Sequence, residues 1–375
     1  MSMRDAADGF GRQEAPSAAV AADPAPDWWI YRGVSEPHDG IRDLPPPPPW
    51  RSFADRTQEH ARSDPQGMSA TDGEHARPDG TRGAAPYLAE REEIHLVNMA
   101  LLLRRPLLVT GPPGVGKTTL AYSIARELKL GPVLRWSVSS RTTLREGQYE
   151  YDAIGRLQDV GLRGRFIDPR AQTGAETPEP EPPDIGHYLR LGPLGTALLP
   201  WRVPRVLLID EIDKSDVDFP NDLLHVFEEG EFTVLELARL RQHLTRVMTA
   251  DSDGWAELTR GQVRCHNFPV VVMTSNGERD FPPAFLRRCI RLEIRRPDRR
   301  KLFRLLAAHL PDLDAASSSA CATLVDEFLR RQEQDGSELA NDQLLNAVRV
   351  AQQVWNDPGE RAMVVDHLLR PLNEG

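Results

Sequence analysis

The stretch from Leu107 to Thr119, Leu-Leu-Val-Thr-Gly-Pro-Pro-Gly-Val-Gly-Lys-Thr-Thr, limits what this chain can become more than any other. Its Gly111, Pro112, Pro113, Gly114, Val115, Gly116, Lys117 and Thr118 fit the pattern G-x-x-x-x-G-K-[ST], and Thr119 continues into a helical pattern. A phosphate group needs many donors at close range. Backbone N–H groups supply them where no Cβ intervenes, so the glycines permit both the approach and the unusual dihedrals of such a loop. The amides then form an anion nest at a helix N-terminus. Lys117 adds a point charge for the β- and γ-phosphates, and Thr118 a hydroxyl for Mg²⁺. A chance glycine-rich turn has a similar composition. The apolar strand before it and the helix after it select the phosphate-binding reading.

The chain has 375 residues, enough for one large domain or two ordinary ones. Hydrophobic residues make up 40% and prolines number 32, so part of the chain is expected to stay unpacked. The net charge of −10 argues against broad, sequence-independent nucleic-acid binding, though not against a local basic groove. Cys265, Cys289 and Cys321 are far apart, without metal-ligand spacing, and read as inert thiols of a reducing compartment. Met1-Ser2-Met3-Arg4-Asp5 leads into no apolar core, so no signal peptide is expected. No apolar run reaches membrane-spanning length; Arg104 and Arg105 interrupt the best one. The expected location is cytoplasmic.

Residues 1–85 are poor in aliphatics and read as largely disordered. One island stands out within them: Trp28-Trp29-Ile30-Tyr31-Arg32-Gly33, then Pro45 to Pro49 and Trp50. Its tryptophans are costly to leave in water, so it is expected to dock, as a strap on the chain's own globular part or as a partner-binding segment. From Tyr87 to Arg104 the apolar spacing predicts a helix, followed by a strand over Pro106–Val109 and a helix over Lys117–Leu130. Val133–Val138 reads as a strand, and Arg141–Asp152 has no clear period. Gly174–Asp184 is an acidic, proline-rich loop, after which Tyr188–Leu199 is read as helix. Val203–Asp210 is a strand apolar on both faces from Val206 on, as a buried parallel sheet demands. Phe219–Glu229 is a helix, residues 232–267 a hairpin with helical turns, and Phe268–Thr274 and Ile290–Ile294 are strands. From Asp298 everything reads as helix, over 298–310, 315–332, 338–355 and 359–370. Alternating strands and helices mean a parallel α/β sheet. The division expected is 1–85, then an α/β nucleotide-binding domain over 86–296, then a small all-α domain over 297–375.

Mg-nucleotide hydrolysis needs metal binding, a polarised water and a donor for charge developing on the γ-phosphate. Asp210 ends a buried strand, where a carboxylate can hold Mg²⁺ through water, and Glu211 beside it can orient or deprotonate the attacking water. Asp213 is expected to cap the following turn. Asn276 ends the next strand. With the Leu107–Thr110 strand lying between those two, its amide would face the γ-phosphate or the water. Arg287 and Arg288 lie a short helix further on, too far around to serve their own site. Arginine suits a charged phosphoryl group, so this pair points to a neighbouring subunit.

These residues resemble the AAA+ ATPase superfamily: Walker A at Gly111–Thr118, Walker B at Val206–Glu211, sensor 1 at Asn276, and an arginine finger within Leu286-Arg287-Arg288. Asp210-Glu211-Ile212-Asp213-Lys214, Asn221-Asp222-Leu223-Leu224 and Phe227-Glu228-Glu229-Gly230 resemble its MoxR branch. Thr274-Ser275-Asn276-Gly277-Glu278-Arg279 and Pro283 to Cys289 resemble a bacterial subgroup of that branch, often part of conflict or defence systems. The resemblance covers roughly residues 85–370. It implies a P-loop NTPase sheet followed by a helical lid, ATP and Mg²⁺ as cofactors, and a homo-oligomeric ring, usually a hexamer, with nucleotide between subunits. It also implies a partner with a von Willebrand factor A domain or another client protein to remodel or activate. Insertions characteristic of the branch would fall in 139–200 and 231–267. The family's basic sensor 2 residue has no match in Glu338–Leu345, and Arg349 lies far into that helix.

Three other classes compete, and against one of them, a nucleotide-binding scaffold without turnover, stand the intact Lys117, Asp210 and Glu211. A GTPase-type signalling switch would carry an Asn-Lys-x-Asp motif for the base, and none is present. A DNA-directed motor is disfavoured by the acidic charge and the lack of an appended DNA-binding motif.

Overall fold

Five apolar stretches pair in parallel to form the central sheet. The computed structural model describes residues 25–34, 36–53, 87–165, 184–310, 315–334, 339–352 and 358–370. The expectations for 1–24, 54–86 and the acidic loop at 174–183 lie outside these. In chain order the elements are α1 (Arg91–Leu103), β1 (Leu107–Thr110), α2 (Lys117–Glu127), β2 (Leu134–Ser137), α3 (Leu144–Gln148), β3 (Tyr149–Tyr151) and α4 (Ala153–Arg165). There follow β4 (Leu189–Leu191), α5 (Pro193–Ala197), β5 (Val206–Asp210), α6 (Phe219–Glu229), β6 (Glu231–Thr233), α7 (Leu235–Ala238), β7 (Leu244–Met248), β8 (Trp255–Thr259) and β9 (Gln262–Arg264). Last come β10 (Val270–Ser275), α8 (Pro283–Leu286), β11 (Ile290–Glu293), α9 (Arg299–His309), α10 (Ala315–Gln334), α11 (Asn341–Ala351) and α12 (Pro358–Leu368).

The central sheet runs β11-β1-β10-β5-β2, all parallel. Side chains alternate across a strand, and here the alternation sorts residues into two cores. Leu108, Leu207, Ile209, Val271 and Met273 face one core; Leu107, Val109, Val206, Leu208 and Val272 face the other. That is the doubly covered sheet the sequence implied. Its strand order differs from the expectation: β10 lies between β1 and β5, so β1 does not separate the other two. Hydrophobic periodicity reports which strands are buried, not which are neighbours. The consequence is that Asn276 follows a strand hydrogen-bonded directly to β1.

Strands from residues 149–191 and 231–264 meet in a second, six-stranded sheet, β3-β4-β7-β8-β9-β6. Tyr188–Leu199 is accordingly not a helix throughout. Leu189 and Leu191 alternate into the core as β4, and a short helix forms only from Pro193, with Gly192 as its N-cap. The C-terminal helices enclose a third core of their own, around Leu302, Leu324, Val325, Phe328, Leu344 and Val348.

The N-terminal island is a strap on the chain's own fold. Trp29, Ile30 and Tyr31 are buried among α1 and α2 residues. Asn98, fully buried on α1, accepts from the backbone N–H groups of Ile30 and Tyr31 at 2.7 and 2.9 Å and donates to the Tyr31 carbonyl at 2.6 Å. At the C-terminal end of α2, Glu127 accepts from the Arg32 N–H and pairs with His38. Trp50 differs from Trp29: it is 75% exposed, although Arg51 beside it donates to the Arg104 and Phe227 carbonyls. Asn98→Ala is therefore expected to cost roughly 3 kcal/mol, because it strands buried backbone groups of the strap. Trp50→Ala should stay within about 0.5 kcal/mol of wild type. Urea unfolding of the two variants checks both, and equal midpoints would refute the assignment.

Cys265, Cys289 and Cys321 are buried, and burial pushes the first two thiols up to about 12. No helix among the described residues is long and apolar enough to cross a membrane.

Candidate nucleotide site

Strands β1, β10 and β5 lie side by side and end together, so whatever follows each of them converges. After β1 the loop turns through Gly111, Gly114 and Gly116, all at positive φ. A Cβ at Gly111 would collide with the Ile294 carbonyl, and one at Gly114 with Ala340, so the loop is pressed against the end of β11 and the start of α11. Gly116 then caps α2, whose first residue is Lys117.

Lys117 is buried, 8% exposed, and its ammonium is held by oxygens. Nζ donates to the Gly111 and Pro112 carbonyls and to Asn276 Oδ1, each at 2.7 Å. A cation buried this far must be surrounded by acceptors. The loop supplies two of them and the end of β10 the third. Next along α2, Thr118 donates to Asp210 Oδ1 at 3.0 Å. The Thr274 hydroxyl donates to the same oxygen at 2.7 Å, and Arg135 Nη2 on β2 to Oδ2 at 2.8 Å. Lys117, Thr118, Asp210 and Asn276, singled out in the sequence, thus stand together. Arg135 and Thr274 were missed. Thr274 carried a signal, since it precedes Asn276 on a buried strand; a lone arginine in Val-Leu-Arg-Trp-Ser-Val carried none.

Glu211 leaves β5 in the left-handed region, at φ 61°. For a non-glycine residue that conformation is strained, and such strain gathers at functional sites. Its N–H donates to Thr274 Oγ1 at 2.9 Å, and its half-exposed carboxylate pairs with Lys214 Nζ at 3.0 Å. That carboxylate holds the Lys214 ammonium above its usual range. Asp213 does not cap its own turn as expected. It is buried, and its Oδ2 accepts from the backbone N–H groups of Asn276 and Glu278, at 2.8 and 3.2 Å. Its role is to fix the loop that carries Asn276, because two strand ends in contact offer it free backbone donors. Arg279 ties the same loop to the Ser215 carbonyl at 2.8 Å.

Arg287 and Arg288 lie elsewhere. Arg288 pairs through Nε with Glu228 of α6 and donates from Nη1 to the Ala284 carbonyl at 3.1 Å. Arg287 is exposed, and its carbonyl accepts from Arg105 at 3.2 Å. From the C-terminal helices, Asn341 N–H donates to the Gly114 carbonyl at 3.3 Å. Arg349 instead donates to Gln352, at 3.5 Å. A buried cation that these helices place against the α/β layer is Lys301, which reaches Glu90 at 2.8 Å, just before α1, and Glu93 at 3.2 Å on α1.

A parallel sheet of this order, with a glycine loop and an amine at the end of one strand and a carboxylate at the end of another, is the P-loop NTPase architecture. Residues 106–289 match the family described as AAA domain, dynein-related subfamily, a match that supports the AAA+ superfamily for this segment. A domain of this kind supports nucleotide-dependent ATPase activity. No curated protein matches the chain. Among solved structures, one titled "Crystal structure of FIGL-1 AAA domain in complex with ADP" is 14% identical, covering 72% of this chain and 73% of that one at a TM-score of 0.31.

Proposed function

We propose that this chain is a MoxR-like AAA+ ATPase that binds and hydrolyses Mg-ATP between the subunits of a ring, a hexamer by resemblance. The observation that carries the reading is the convergence of Lys117, Asn276, Thr118 and Asp210 within hydrogen-bonding distance. The loop from Gly111 to Thr119 would hold the phosphates. Its lysine, now spread over three protein oxygens, would exchange neutral carbonyls for charged phosphate oxygens, which are stronger acceptors. Thr118 and Asp210 would hold Mg²⁺: a hydroxyl and a carboxylate 3.0 Å apart are the hard oxygen donors this ion prefers. When bound, the ion supplies charge neutralisation at the phosphates. Glu211 would take a proton from the attacking water, its strained backbone turning the carboxylate out of the strand line. Asn276 would orient that water or the γ-phosphate. Arg288, with Arg287 beside it, would serve the neighbouring subunit.

In this reading residues 86–296 form the nucleotide domain and 297–375 its lid. The C-terminal core separate from the sheet, and the seating of Ala340 and Asn341 against Gly114, support the division. Turnover would remodel or activate a client, a von Willebrand factor A domain protein being the first choice, in a bacterial conflict system. Support for that step is the motif resemblance over residues 210–230 and 274–289.

Glu211→Gln tests the reading. Glutamine keeps the shape and loses the base, so the variant should bind ATP like wild type. It should release phosphate on the order of a hundredfold or more slowly. A rate equal to wild type removes Glu211 from the mechanism.

A further inference from the structure

Asp210 is engaged on both carboxylate oxygens. Two hydroxyls, of Thr118 and Thr274, occupy Oδ1, and the Arg135 guanidinium occupies Oδ2. Arg135 lies on β2, the edge strand of the sheet, two residues before Ser137, which is the partner of Asp210 in the register. Leu134 and Trp136 alternate into the core, while Arg135 and Ser137 take the other face. The Arg135 side chain keeps 40% exposure where that of Asp210 keeps 9%. A cation in contact with water therefore sits on the one oxygen of a buried carboxylate that the hydroxyls leave. Tyr122, one turn along α2 from Thr118, registers both charges. Burial raises its phenol first, Arg135 lowers it and Asp210 raises it.

We infer that Arg135 sets how much divalent cation the site requires, by competing with hydrated Mg²⁺ for Asp210 Oδ2. The inference rests on the reading of Thr118 and Asp210 as the metal-holding pair. Two effects act in the same direction. One acceptor oxygen cannot serve a guanidinium and a metal-bound water equally well, and a guanidinium repels a dication. Arg135 thus holds the carboxylate ordered until the metal arrives and is displaced when it does. It is a positioning residue, acting through Asp210. An arginine present only to stabilise the sheet edge would alter thermal stability and leave the metal dependence unmoved. One that contacts phosphate would alter nucleotide affinity even without metal.

The test is calorimetric titration of the full chain with the non-hydrolysable analogue AMP-PNP over a series of free Mg²⁺ concentrations and in EDTA. The free Mg²⁺ that gives half of the metal-dependent gain in affinity should fall on the order of tenfold in Arg135→Gln, the worth of a charge-assisted hydrogen bond. Arg135→Lys, which keeps the charge without the planar fork, should fall between, and it decides the matter if the glutamine variant does not fold. Affinity in EDTA should match wild type. An unmoved or raised Mg²⁺ midpoint, in a wild-type background that does depend on Mg²⁺, overturns the inference alone. Weakened binding in EDTA assigns Arg135 to phosphate and overturns it as well. Wild-type binding indifferent to Mg²⁺ overturns the metal-holding pair and the inference together.

Discussion

Lys117→Ala is expected to lose tight ATP binding, by on the order of a hundredfold or more. The loop amides remain in the variant, but the cation between the phosphates is gone. Within the chain, Nζ gathers the Gly111 and Pro112 carbonyls and Asn276 Oδ1, so it also ties the loop to the end of β10. Its loss should leave Asn276 without that restraint. The affinity of Mg-ATP by calorimetry checks the effect. A thermal midpoint without nucleotide, within a few degrees of wild type, separates lost binding from lost fold. Wild-type affinity in a folded variant would remove the loop from the site.

The sheet was legible because its strands are buried on both faces. Four or more consecutive apolar residues ending in Asp210, and a second run ending near Asn276, admit little else in an alternating chain. Helix α6 was legible at both ends, because Leu223, Val226 and Phe227 repeat at helical spacing and Gly230 at φ 65° stops it. The second sheet was not legible. Its strands run from three to five residues, and its one parallel pairing joins Arg190 to Met248, across the whole of β5 and α6. Pairings that distant leave no trace in local periodicity. The same blindness placed β1, not β10, in the middle.

Within the site, residues with a fixed chemical task at a fixed spacing were readable, and residues that work through a neighbour were not. Lys117, Thr118 and Asp210 follow from a motif. Asp213 looked like a turn cap because its two backbone donors belong to a segment more than sixty residues away. The left-handed Glu211 could not be foreseen either, since glutamate has no preference for that region. The strap was half legible. Three tryptophans near a proline run had to dock, but only the fold separates buried Trp29 from exposed Trp50.

Arg288→Ala is expected to bind ATP normally and to turn it over about a thousandfold more slowly or worse, the range found for arginine fingers in other phosphoryl-transfer systems. A group that meets only the charge developing in the transition state contributes little to ground-state affinity. Arg288 suits that part. Its known bonds run to Glu228 and Ala284, on the α6–α8 side of the domain, and none to the loop of its own chain. A finger so placed acts on the next subunit or not at all. Mixing Arg288→Ala with Lys117→Ala decides between these. Each variant alone should be nearly inactive. In a mixed ring some interfaces join the intact loop of one subunit to the intact arginine of its neighbour, and phosphate release should partly return. If mixed assemblies are verified and no activity returns, hydrolysis does not take place between subunits in the way proposed.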